Sequence, residues 1–156
     1  MNVIIASDHR GFAIKKQLVA APDLSDITFI DVGADTFLEG DNYTDYAKRA
    51  VEEMRSQGCE LGILLCGSGV GMCIAANKFN GIRCGLGISS EQISAARNDD
   101  NINVLAIAAE YSTIEVAAEM VRSFVDTEFN SQPRYLERLS DIEQFESDEI
   151  HNGTNN

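Results

Sequence analysis

Short apolar, β-branched runs alternate along this chain with segments whose apolar positions recur every three or four residues. VIIAS (3–7), ITFIDVG (27–33), LGILLC (61–66), IRCGLGI (82–88) and NVLAIAA (103–109) read as five strands. Between them the period changes to that of a helix. The first helix is expected over 11–21 and is stopped by Pro22. Tyr43, Tyr46, Ala47, Ala50, Val51 and Met54 share one face of a second, closed by Gly58. GSGVGMCIAANK turns into a third, and SSEQISAARN holds a fourth. Ile114, Ala117, Val121, Phe124 and Val125 mark a fifth, and a last helix is expected from Pro133 to Phe145.

Strand–helix alternation of this kind predicts a doubly wound, Rossmann-like α/β fold: a three-layer sandwich around a five-stranded parallel sheet with right-handed crossovers. No repeat, linker or low-complexity block divides the chain. The expectation is one domain over 1–147, followed by a polar, disordered tail over 148–156. Parallel sheets of this class bind ligands beyond the carboxyl ends of their strands. Three polar segments fall there: SDHRG after the first strand, CGSGVG after the third, and RNDDN shortly before the fifth.

Charge narrows the partners. The 156 residues carry 12 Lys and Arg against 25 Asp and Glu, a formal net charge of −13. That disfavours nucleic acid and anionic membrane surfaces, which need a basic face. A phosphorylated ligand is compatible if its site gathers the scarce cations locally. No apolar stretch is long enough to span a bilayer, and the N-terminus lacks the pattern of a signal peptide. The cysteines at 59, 66, 73 and 84 form no CxxC pair, and only two histidines are present. A cytoplasmic protein with reduced thiols and no metal site is expected.

CGSGVG fits neither common nucleotide loop. The dinucleotide fingerprint needs glycine where Met72 stands, and a P-loop needs Gly-Lys-Ser/Thr, whereas Gly67 precedes Ser68. The backbone itself is informative. Gly67, Gly69 and Gly71 allow close approach of a ligand, and successive N–H groups entering a helix form an anion cradle. Cys66 stands at the strand tip in the same field, and a helix N-terminus favours a thiolate. A thiolate beside such a cradle can remove a proton while the cradle holds the developing charge. The residues alone leave a second reading open, in which Cys66 is a small core side chain like Cys59, Cys73 and Cys84. His9 as an unliganded helix-start residue, and Arg134 and Arg138 as a solvated face pairing with Glu137 or Asp141, are equally open on spacing alone.

Taken together, ASDHRGF (6–12), DNYTDYA (41–47), GILLCGSGVGMCIAANK (62–78), GIRCGL (81–86) and NINVLAIAA (101–109) resemble one family. It is the sugar-phosphate isomerase family of B-type ribose-5-phosphate isomerase and the galactose-6-phosphate isomerase subunits. The resemblance runs from Met1 to about Phe145. It implies interconversion of an aldose phosphate and a ketose phosphate through a cis-enediolate, without metal or organic cofactor. It also implies a homodimer, or a dimer of dimers, with each site completed by a neighbouring subunit. On it, Cys66 is the base that moves a proton between C2 and C1. Ser68 and the amides of Gly67, Gly69, Val70 and Gly71 form the anion hole. Asp8, His9 and Tyr43 bind the sugar or help open its ring. Arg134 and Arg138, four apart on one helix face, match the phosphate-binding pair.

Two departures stand out. Asp99 and Asp100 occupy the positions where the family carries His-Asn, whose histidine is assigned to ring opening. Asp99 is then the catalytic candidate there, with Asp100 as a binding one. A carboxyl donates a proton at neutral pH only if its pKa is raised from near 4. Glu110 stands where the ribose-type enzymes tend to have a phosphate-binding arginine, and Tyr135 replaces a histidine between the two arginines. Ribose 5-phosphate is the expected substrate. Galactose 6-phosphate, allose 6-phosphate or a tetrose phosphate are alternatives, as is a non-catalytic phosphosugar-binding subunit. A thiol-redox or flavin protein is disfavoured, with no resolving cysteine next to Cys66 and no tryptophan to stack a flavin.

Overall fold

In the computed structural model, which describes residues 1–153, five strands pair in parallel in one sheet. They are β1 (Asn2–Ser7), β2 (Thr28–Asp31), β3 (Gly62–Cys66), β4 (Cys84–Leu86) and β5 (Val104–Ala108). Their order across the sheet is β2-β1-β3-β5-β4. The helices are α1 (Phe12–Val19), α2 (Tyr43–Gln57), α3 (Val70–Ala76), α4 (Ser90–Asp100), α5 (Ile114–Asp126) and α6 (Pro133–Gly153). The doubly wound, three-layer fold expected from the alternation is the one observed.

Side-chain alternation along the strands builds two cores. Val3 and Ile5 of β1 and Ile63 and Leu65 of β3 join Leu18, Ile93, Val121 and Phe124 from α1, α4 and α5. Ile4 and Ala6, with Leu64 and Cys66, face Ala47, Ala50, Val51 and Met54 of α2 and Met72 and Ala76 of α3. The central strands β1, β3 and β5 are buried on both sides, which explains their nearly unbroken apolar sequence.

Four elements differ in extent from the sequence expectation. Helix α1 ends at Val19 because Ala21, preceding Pro22, is forced to an extended conformation with ψ 124°. Strands β2 and β4 are shorter than their apolar runs, since a strand ends where pairing ends and not where hydrophobicity does. Helix α6 runs on through residues expected to be tail. Both carboxylate oxygens of Glu146 accept from the Gly81 N–H, at 3.3 and 3.1 Å, and Gln144 donates to Asp148 at 2.8 Å. These bonds hold helix where composition alone suggests fraying. Residues 154–156 of the expected tail lie outside the described residues.

The sheet order determines where a ligand can sit. The direction in which strands are added reverses between the parallel neighbours β1 and β3, whose pairing sets Ser7 opposite Leu65. The loops after these two strands therefore open side by side at a topological switch point.

Candidate active site

The turn after β1 is built by Asp8. Its side chain is buried, and Oδ1 accepts from the N–H groups of Arg10 at 2.9 Å and Gly11 at 3.0 Å, which shapes the entry to α1. Burial pushes the Asp8 carboxyl above its ordinary value, against the opposing pull of the Gly11 N–H and of His9. His9 is held by the loop before α2. Asp41 Oδ1 accepts from the His9 backbone N–H at 3.0 Å and lies 2.6 Å from its ring Nδ1. The Phe37 ring packs edge-on to the imidazole at a centroid distance of 6.0 Å. Burial alone would raise the Asp41 carboxyl. The His9 backbone and ring N–H groups, aided by the nearby Tyr46 hydroxyl, bring it below the ordinary carboxylate value instead.

The loop after β3 lies beside this turn. Cys66 is 5 % exposed and packs in the α2/α3 core, so the thiol sits at the floor of the crevice and not at its rim. The segment after β5 locks the loop: Ala109 N–H donates to Cys66 O at 2.9 Å, and Glu110 N–H to Gly67 O at 3.0 Å. Gly69 adopts a left-handed φ of 72°, which lets the chain turn sharply into α3, and a side chain there would strike Leu86 and the backbone of Ala108. The Tyr43 ring lies against Gly71 so closely that a Cβ there would sit 2.9 Å from it. Ser68 and Val70 are exposed.

Over Gly67 lies the guanidinium of Arg10, held by Glu110. Arg10 Nε donates to Glu110 Oε1 at 2.6 Å, and Nη2 to Oε2. The pair raises the Arg10 pKa and lowers that of Glu110, mainly through this fork-to-fork hydrogen bonding. The glutamate that stands in place of a phosphate-binding arginine is thus neutralised by an arginine supplied from the β1 loop.

Asp99, Arg134 and Arg138 form a second group, on α4 and α6. Asn98 donates to Asp99 at 2.6 Å. The guanidinium carbons of Arg134 and Arg138 lie 4.5 and 5.9 Å from the centre of the Tyr135 ring, which is itself buried between them. Hydrogen bonds from Asn98 and Tyr135, with the two arginine charges, hold the Asp99 carboxyl below its ordinary value. The raised pKa that proton donation from Asp99 requires is the opposite of what its surroundings impose. Asp100 belongs to neither group: it borders a cavity of about 400 Å³ with Asn77, Cys84, Ile142 and Phe145. Among the described residues no hydrogen bond or ion pair joins the two groups.

Residues that sequence patterning did not single out supply much of the scaffold. Arg10 and Asp41 sit in polar loops with no periodicity to mark them. Lys15 is fully buried, with Nζ donating to Asp31 at 2.7 Å and to Ala34 O at 2.8 Å, which ties α1 to the end of β2. Asp8, His9 and Asp41 bring one donor atom each within 4.8 Å of one another, the spacing of a cation site. Those atoms are committed elsewhere: Asp8 Oδ1 to backbone N–H groups and His9 Nδ1 to Asp41. A cation would have to break the His9–Asp41 bond, so the donor set fits hydrogen-bonded positioning better than metal binding. Of the other thiols, Cys73 is brought down to about 7 by Cys84 and Asn77, against the effect of burial.

The sequence model of the Ribose/Galactose Isomerase family matches residues 3–142. A putative sugar phosphate isomerase of Bacillus subtilis is 36% identical over 146 residues, covering 94% of this chain and 97% of that protein. A probable ribose-5-phosphate isomerase B of Mycoplasma genitalium is 32% identical, with coverage of 94% and 97%. A crystal structure of ribose-5-phosphate isomerase B from Mycoplasma genitalium with bound ribulose-5-phosphate superposes with a TM-score of 0.86 at 33% identity, covering 94% of this chain and 96% of that one. A Clostridium thermocellum ribose-5-phosphate isomerase B reaches 0.88 at 29% identity, covering 95% and 99%. With its sheet order, its cysteine–glycine loop at the switch point and these matches over nearly its whole length, the chain belongs to the ribose/galactose isomerase family.

Proposed function

We propose that this protein interconverts ribose 5-phosphate and ribulose 5-phosphate through a cis-enediolate without a cofactor. One observation carries the reading: Cys66 ends β3 at the switch point of the sheet, at the head of the Gly67–Gly71 loop and beside the strand that leads into the Asp8–His9 turn. Cys66 Sγ takes the proton from C2 of the open aldose and returns it to C1. The loop amides, with Ser68, hold the enediolate charge as it develops. Asp8, His9 and Tyr43 bind the sugar at the crevice walls. Arg134 and Arg138 bind the phosphate, their fork geometry suiting its oxygens.

The arginine pair sits in the second group, without contact to its own Cys66 crevice. A homodimer in which α6 of one subunit completes the site of the other accounts for both groups. The exposed apolar side chains Val70, Ile74, Ile88 and Tyr111, around the carboxyl end of the sheet, fit such an interface. The four cysteines are all free, which fits a reducing cytoplasm.

The experiment is turnover of ribose 5-phosphate by purified protein, followed as ketose formation, beside six-carbon and four-carbon sugar phosphates. The Arg10–Glu110 pair favours a second reading, a longer or differently configured sugar phosphate, because it changes the charge over Gly67. Activity on ribose 5-phosphate above every other member of the panel supports the first reading. Activity only on another member supports the second. No turnover of any member ends both.

A further inference from the structure

Opening the furanose ring needs a group that takes a proton and gives it back near neutral pH. Asp99 is poorly suited to it: half-buried and hydrogen-bonded to Asn98, it is surrounded by Tyr135 and the two arginines, which favour its ionised form. A better-matched group stands in the crevice. His9 is 20% exposed at its side chain and Asp41 only 5%. A carboxylate can only accept, so the 2.6 Å contact places the ring proton on Nδ1 and leaves the Nε2 lone pair free. Among the described residues Nε2 has no hydrogen-bond partner. The carboxylate also accepts the His9 backbone N–H, so the ring and its main chain are anchored to the same oxygen. Asp41 Oδ2 is buried without a partner at hydrogen-bond geometry, with the Tyr46 hydroxyl nearby, so the hydrogen bonds the carboxylate makes are both to His9. The charged groups around the imidazole are Asp8 and Arg10 on its own turn, Asp41 before α2 and Glu110 after β5.

Resting on the ribose 5-phosphate reading above, we propose that His9 opens the sugar ring and that Asp41 is the positioning residue that fixes its tautomer and orientation. His9 Nε2 takes the proton from the C1 hydroxyl. The C1–O1 bond becomes a carbonyl as the C1–O4 bond breaks, with its electron pair passing to O4. The imidazolium returns the proton to O4, so the step is neutral overall. Asp41 stays ionised and steadies the imidazolium while it exists. Its carboxyl is held below the ordinary value by the His9 N–H groups, in the state this task needs.

Two substrates separate this step from the chemistry at Cys66. Ribose 5-phosphate enters as a ring. Ribulose 5-phosphate has its C5 hydroxyl esterified and no furanose to open, so exchange of its C1 proton in deuterium oxide reports the enediolate step alone. Asp41→Asn is expected to lower kcat on ribose 5-phosphate about 100-fold while leaving C1 exchange on ribulose 5-phosphate within about threefold. If Asp41→Asn fails to fold, His9→Gln serves instead: it loses a sugar contact and lowers both rates, but it is expected to lower turnover of ribose 5-phosphate at least about tenfold more than C1 exchange. Equal loss in both assays, or a rise confined to KM, overturns the proposal, because it assigns His9 and Asp41 to binding or to structure. Full activity of both variants overturns it as well. Wild-type protein inactive in both assays overturns the ribose 5-phosphate reading and this proposal together, a result distinct from an unsplit variant.

Discussion

The crevice between β1 and β3 and the patch on α4 and α6 both hold acids beside bases, yet their construction differs. In the crevice the carboxylates of Asp8 and Asp41 are buried and spend their oxygens on N–H groups of the neighbouring turn. Each fixes a backbone or a ring in one place. In the α4–α6 patch Asp99 is half-buried, and apart from Asn98 its neighbours are Tyr135 and the two long arginine side chains stacked on that ring. On the proposed reading the first region carries the reaction, and the second grips the phosphate of a substrate bound in the partner subunit. Burial makes the difference: a buried polar group must be satisfied by fixed neighbours, and an exposed one need not be.

The sharpest break comes at the crevice floor. Cys66→Ala is expected to lower turnover by about 10³-fold or more, with C1 exchange on ribulose 5-phosphate lost in step. A variant that keeps its activity returns Cys66 to the role of a core side chain. Arg134→Ala and Arg138→Ala act on the other region. Each should raise KM about ten- to a hundredfold with a smaller change in kcat, because a charged pair to phosphate is lost. Mixing Cys66→Ala with Arg134→Ala protein joins the two regions in one test. If α6 serves the partner's crevice, the mixture, assayed at substrate far below the variant's KM, regains about a quarter of wild-type activity, since half the dimers are hybrids with one of two sites intact. If each subunit is self-sufficient, the mixture shows no more than the average of the two variants.

Smaller effects follow. Arg10→Ala uncovers Gly67 and should speed alkylation of Cys66 several-fold, read by peptide mapping to separate it from Cys73, whose pKa near 7 makes it a competing target. Its cost in stability is expected to stay below about 1 kcal/mol, since the Arg10–Glu110 pair is half exposed. Asp99→Asn should change Tm by no more than about 2 °C at pH 7. The Asp99 carboxyl lies below its ordinary value in the native state. Any stability it contributes is therefore present above the unfolded pKa and lost as pH falls through the native one. Thermal melts of the two proteins should converge under acid conditions.

Much of this could be read from the chain. The five apolar runs marked five strands, and the Cys66–Gly71 segment marked the loop at the end of β3, because period and backbone freedom are local properties. Asp41 could not be found that way. It lies 32 positions from His9 in a polar loop, and nothing about an aspartate in such a loop announces the histidine it meets. Arg10 and Glu110 are 100 positions apart, and one of them looked unfavourable until the other appeared beside it. The partial burial of Tyr135 between its arginines was equally hidden.

The order of strands and helices, the two faces of each strand, the glycine turn and the thiol at its head follow from the amino-acid sequence, because each depends on residues within a few positions of one another. Which carboxylate is buried, which arginine covers the loop, and which acid meets His9 were decided only when β1, β3 and β5 came together. Those outcomes depend on distances between segments far apart in the chain, and on the solvent each group loses when they pack.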